Sequence, residues 1–139
     1  MTPIMTIMKH SKEKPPNWDK LKEVFKYAKW EEGIIVTYGD TCYCKYDIAP
    51  DLDAHEATHM RQQEKMGVEA WWDKYYNDPL FRLGEEIEAY KNQANYLKNN
   101  PNNMNREQRR ERICAMAEAL SSPIYGKIIK YKQALELIK

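Results

Sequence analysis

The run His55-Glu56-Ala57-Thr58-His59 places three side chains that can bind a metal or move a proton within five residues. It matches H-E-x-x-H, the spacing of a zinc hydrolase site. On a helix the two histidines stand one turn apart on the same face, so both imidazoles can bind one ion. Glu56 falls beside that face, where its carboxylate can reach a water on the metal without ligating it. The chain has three histidines, and two of them lie in this motif. The alternative is a surface helix carrying two solvated histidines.

A hydrolytic zinc needs three protein ligands and one open position, so a third ligand must come from elsewhere. His10 is one candidate, with no pattern around it. The cluster Glu85-Glu86-Ile87-Glu88 is better placed. Leu83, Ile87, Tyr90, Ala94 and Leu97 form the apolar stripe of a helix over about 80–99. At roughly 100° per residue, Glu86 lies about 60° from the stripe centre. Glu88 and Glu85 lie about 140° and 160° away, toward solvent. Glu86 is therefore the carboxylate predicted to point inward. The competing reading pairs it with Arg82 at i−4.

Several elements must position these residues. Asn17 is predicted to cap a first helix over about 18–31, with Trp18, Leu21, Phe25 and Ala28 as its apolar stripe. Residues 34–38 and 41–46 are β-branched or aromatic and flank Gly39-Asp40, a two-residue hairpin signal. Asp51 or Asp53 is expected to cap the motif helix, which Gly67 ends. A short aromatic helix covers 68–77 and precedes Asp78-Pro79. Two helices over about 105–120 and 124–138 complete the chain. The expected fold is α+β and mostly helical, with a short β-hairpin preceding the motif helix. Residues 1–16 read as a flexible arm and 17–139 as a single domain.

With these elements in place, the pattern resembles the gluzincin branch of the zincin metallopeptidases. His55-Glu56-x-x-His59 followed by Glu86-x-x-Ala89 carries the likeness. More narrowly, it is similar to small HExxH proteins of tailed bacteriophages. The residues that match are His55, Glu56, His59, Gln62, Glu86, Glu88, Ala89 and Tyr90, with Ser121–Gly126 as a weaker segment. The likeness covers roughly residues 34–131 and implies a minimal zincin-like domain. It implies Zn²⁺ held by His55, His59 and Glu86, Glu56 as proton carrier, and a peptide or protein substrate. Many gluzincins place an aspartate after the alanine to orient a ligand histidine; Tyr90 stands there in this chain.

Tyr90 and Tyr125 are the candidates to donate a hydrogen bond to a developing oxyanion. An extended peptide could pair with the free edge of the hairpin. Trp71, Trp72, Tyr75 and Tyr76 either line a pocket or pack between the ligand helices. Gln62 shares the face of His59. The non-enzyme alternative is a zinc-stabilised virion or assembly protein of the same fold. Glu56 separates the two, because a structural zinc has no use for it and closes its fourth position.

With 22 basic and 21 acidic residues the net charge is +1, so no nucleic-acid partner is expected. The mixed run Arg106–Arg112 reads as a solvated helix face. No apolar stretch reaches membrane-span length, and residues 1–14 hold no signal-peptide core. A cytoplasmic location is the default expectation, or host cytoplasm or virion for a phage protein. Cys42, Cys44 and Cys114 are an odd set and are expected as free thiols.

Overall fold

The computed structural model describes residues 7–100 and 104–139. In chain order the elements are β1 (Lys9–Ser11), α1 (Trp18–Val24), a 3-10 turn (Trp30–Glu32), β2 (Val36–Tyr38) and β3 (Thr41–Tyr43). There follow α2 (Pro50–Met66), α3 (Val68–Asn77), α4 (Pro79–Asn99), α5 (Arg106–Leu120), a 3-10 turn (Pro123–Tyr125) and α6 (Tyr131–Ile138). The fold is α+β and mostly helical, as expected.

Pro50 starts α2, since its fixed φ suits the first helical position. Asp51 and Asp53 do not cap this helix; Ala49 occupies that place, and both aspartates lie within the first turn. Gly67 ends α2 at a φ of 97°, a conformation that favours glycine. Asp78 caps α4 by accepting from the Leu80 and Phe81 amides, with Pro79 at the first position. Asn105 and Gln108 form a reciprocal capping box on α5.

The hairpin forms where expected but is shorter, because only three residues on each side pair. Gly39 supplies the positive φ of 62° at the first turn position. The sheet has a third strand: β1 pairs parallel with β3, giving the order β1-β3-β2. Thus Lys9–Ser11 lies within the segment read as a flexible arm, and Pro15 is buried. Residues 1–6 of that segment lie outside the described residues.

The first helix stops at Val24 rather than near residue 31. Packing gives the reason. On a continuous helix, Trp30 would point about 120° away from Trp18. Ending the helix at Phe25 lets Trp30 return against Trp18, with ring centroids 5.6 Å apart at 69°. Asn17 precedes the helix without a side-chain cap bond; its amide donates to the Tyr76 hydroxyl instead. The last helix starts at Tyr131, not 124, because Gly126 and Lys127 both take positive φ.

Two apolar clusters result. The first gathers Trp18, Phe25, Trp30, Trp71 and Trp72 with Leu21 and Val36. The second gathers Leu83, Leu97, Met116, Leu120 and Ile138 with Tyr125. Helices α2 and α4 pack along each other between them, and the polar groups of the candidate site lie on those two helices. Among the described residues, no helix is long and apolar enough to cross a membrane.

Candidate metal centre

Helical spacing brings His55 and His59 to one face of α2, and α4 lays Glu86 against that face. All three side chains are buried, each about 5–6% exposed. Glu86 Oε1 lies 3.0 Å from His55 Nε2 and 2.9 Å from His59 Nε2, and the two Nε2 atoms are 3.2 Å apart. Glu86 is the buried member of the acidic cluster, as expected, but the other two are reversed: Glu85 is half-buried and Glu88 exposed. Glu86 does not pair with Arg82, whose guanidinium donates to the Tyr75 and Tyr76 carbonyls and lies over the Phe25 ring. Glu85 accepts the indole N–H of Trp71.

The other ring nitrogens determine what this triangle can do. Gln93 donates its amide N–H to Asp51 at 2.7 Å, so its carbonyl oxygen faces His55 Nδ1 at 3.0 Å. Gln62 donates to the Glu85 carbonyl, so its oxygen faces His59 Nδ1 at 2.8 Å. An amide oxygen only accepts, so both Nδ1 atoms carry the proton. Both Nε2 atoms then present lone pairs, and they present them to each other and to a carboxylate. Three converging acceptors at 2.9–3.2 Å call for a proton or a metal ion among them. Tetrahedral zinc with bonds of about 2.0–2.1 Å spaces its ligand atoms about 3.3 Å apart. The triangle therefore fits a metal after an expansion of a few tenths of an ångström.

Electrostatics agrees. Burial lowers the basicity of His59, but the Glu86 carboxylate outweighs it, with help from Glu56 and Gln62, and the pKa is pushed up to about 9. Burial also opposes ionisation of Glu86, yet the two imidazoles hold it well below the usual carboxylate range. In the absence of a metal, a proton on His59 supplies the positive charge that the triangle requires.

Glu56 is the neighbour of this set. His55, Glu56 and His59 each offer a ligand atom within 4.8 Å of the others. Distance and bonding divide the two carboxylates. Glu86 touches both imidazoles, whereas Glu56 Oε2 stands 3.7 Å from His55 Nε2 and its Oε1 accepts from the Thr37 hydroxyl at 3.0 Å. Burial raises the pKa of Glu56. Glu86 is therefore the better third ligand, and Glu56 faces the site from beside it.

Tyr90 and Tyr125 both line the cavity at the site. The Tyr90 ring meets the His55 ring edge-on at 4.5 Å, and Tyr125 packs behind it at 6.5 Å. Burial raises both phenol pKa values, so both remain protonated donors. The phenol whose hydroxyl bonds to the ligand set is a different one, Tyr75, which donates to Glu86 Oε2 at 2.5 Å. It is anchored by stacking on Trp71. His10 is not near this set; it pairs with Asp53 at 2.6 Å beside a separate cavity.

Several functional contacts were not legible in the sequence. Asp51 is buried and accepts from Gln93 and, bidentately, from Nε and Nη2 of Arg112 at 2.7 and 3.0 Å. Arg112 is thus an exception in a run that reads as a solvated face. The signal for Gln93 was its place seven residues after Glu86, two helical turns along the same face. The outer edge of β2 is also less open than the hairpin implied. Thr37 pairs with Cys42 at a position whose backbone groups point away from β3. Its carbonyl accepts from Gln63 and from the Trp72 indole, and the Gly39 amide donates to Gln63. All three cysteines are free thiols.

Compared with models of protein families, with curated proteins and with solved structures, the chain matches none.

Proposed function

We propose that the chain is a zinc-dependent peptide-bond hydrolase of the gluzincin type, with His55, His59 and Glu86 as the metal ligands. The observation that carries this reading is the convergence of three lone pairs, with both Nδ1 protons fixed by glutamines. A zinc ion held there would polarise a substrate carbonyl and lower the pKa of a bound water toward neutrality.

The chain's own groups supply the remaining chemistry. Thr37 holds one oxygen of Glu56 and leaves Oε2 turned toward the ligand triangle. That oxygen accepts a proton from the attacking water and later delivers it to the leaving amine. Burial raises the Glu56 pKa, which suits a group that must both take and return a proton. Tyr90 donates toward charge developing on the substrate carbonyl oxygen, and Tyr125 supports it by donating to its hydroxyl. Tyr75 and the two glutamines hold the ligands in register before substrate arrives.

The near-complete burial of the four polar groups favours a second reading, a non-catalytic zinc-stabilised virion or assembly protein. Glu56→Gln separates the two. The hydrolase reading expects the variant to keep its zinc, measured by elemental analysis, and to lose about 10²-fold or more of peptide hydrolysis. Equal turnover by wild type and variant across a peptide panel would reject Glu56 as proton carrier. Absence of bound zinc in the wild type would reject both readings.

A further inference from the structure

The cavity over the ligand triangle has a volume of about 350 Å³, small among ligand pockets, which run from about 300 to 1,000 Å³. It therefore takes one or two side chains rather than a long stretch of substrate. Its charged lining groups are confined to the site itself: the two histidines, Glu56 and Glu86. Among the described residues, no lysine or arginine lines it. Arg82 lies over the Phe25 and Tyr75 rings but is not itself a lining residue, and it spends its N–H groups on two backbone carbonyls. The rest of the wall is apolar or aromatic apart from Thr37 and Gln93, whose polar groups are engaged by Glu56 and by His55 and Asp51. Ile34, Ile35 and Val36 come from the chain entering β2, Leu52 from α2, Trp71 and Trp72 from α3, and Ile124 from the rim. The indole of Trp72 is committed to the Thr37 carbonyl and that of Trp71 to Glu85, so both rings offer apolar surface.

We infer that this cavity receives a bulky uncharged apolar side chain next to the hydrolysed bond, within the interior of a peptide rather than at its end. The inference rests on the hydrolase reading above. A free C-terminal carboxylate needs a cation to replace its hydration, and the wall offers none. A charged side chain would meet the same penalty. An aromatic or branched aliphatic group instead leaves water for a wall that is already apolar.

Three hydroxamates, titrated calorimetrically into the zinc-loaded protein, test this. They are acetohydroxamate, a form bearing a benzyl group, and a form of similar length ending in a carboxylate. The expected order places the benzyl form about tenfold or more tighter than acetohydroxamate, an increment that burial of a few apolar carbons supplies. The carboxylate form gains nothing. Binding of all three with equal affinity, or best binding by the carboxylate form, overturns the inference while the metal reading stands. Failure of acetohydroxamate itself to bind overturns the metal reading, and the inference with it. Ile124 is 40% exposed at the rim, so Ile124→Glu should fold normally. It should shrink the benzyl advantage several-fold; an undiminished advantage would move the apolar group out of this cavity and overturn the assignment.

Discussion

His55 and His59 offer the same nitrogen to the same site, yet they are supported differently. The partner of His59 is Gln62, three residues on in the same helix. The partner of His55 is Gln93 on α4, which leads to Asp51 at the start of α2 and on to Arg112 on α5. One imidazole is oriented by a residue one turn along its own helix, whose amide rests on α4. The other is oriented only after three helices have docked. The nearer support needs α2 and the face of α4 on which Gln62 rests, whereas the longer chain also ties the His55 ring to the docking of α5 through Arg112.

The largest effect on this contrast is expected from Asp51→Ala. Asp51 is buried and serves both Gln93 and Arg112. Its loss leaves a buried amide without its acceptor and a guanidinium without its partner, at a cost of about 2–3 kcal/mol. Arg112 is partly exposed and can turn to water, which keeps the cost at that level. Zinc affinity should fall by about 10–100-fold. Denaturant melts and competitive zinc titration measure the two effects separately. A variant with full stability would mean that the distributed support is not coupled to the fold.

The matched pair Gln93→Ala and Gln62→Ala sharpens the comparison. Each frees one Nδ1 and should weaken zinc by about tenfold or more. Gln93→Ala should also destabilise the metal-free protein by about 1–3 kcal/mol, since it takes a donor from buried Asp51. Gln62→Ala should cost less than about 1 kcal/mol, because its amide donates to exposed Glu88 and to the Glu85 carbonyl, which already accepts within α4. Equal stability losses in the two variants would erase the distinction between local and distributed support.

The smallest effect concerns protons. In the metal-free protein the pKa of His59 is raised to about 9, above its unfolded value near 6.5. A raised pKa contributes stability that is fully present below the unfolded value and is lost as pH rises through the folded one. Metal-free protein should therefore be most stable near pH 6 and lose up to a few kcal/mol by pH 10. Thermal melts of wild type and His59→Gln across that range check the sign. A wild-type curve as flat as that of the variant would mean that His59 does not hold the proton.

Much of the site was readable because helices are periodic. The five-residue motif fixed the His55–His59 face. The 100° rule picked Glu86 from three neighbouring glutamates, and the structure buries that one alone. Gln62 followed from i+3 spacing. The hairpin followed from Gly39-Asp40 between β-branched runs, and α3 to α5 from their proline, aspartate and asparagine boundaries.

Contacts between elements distant in sequence were not readable, because periodicity carries no information about which faces meet. Nothing local distinguishes Arg112 from Arg109 or Arg110, yet only docking of α5 on α2 gives it the buried Asp51. Tyr75 was one of ten tyrosines until α3 brought its hydroxyl to Glu86. The break after Val24 and the pairing of β1 with β3 were likewise decided by burial of Trp30 and by an open strand edge. The sequence determined which atoms could hold a cation, through short-range geometry. The tertiary structure decided how those atoms are held and what can approach them, since orientation and access depend on packing between separate helices.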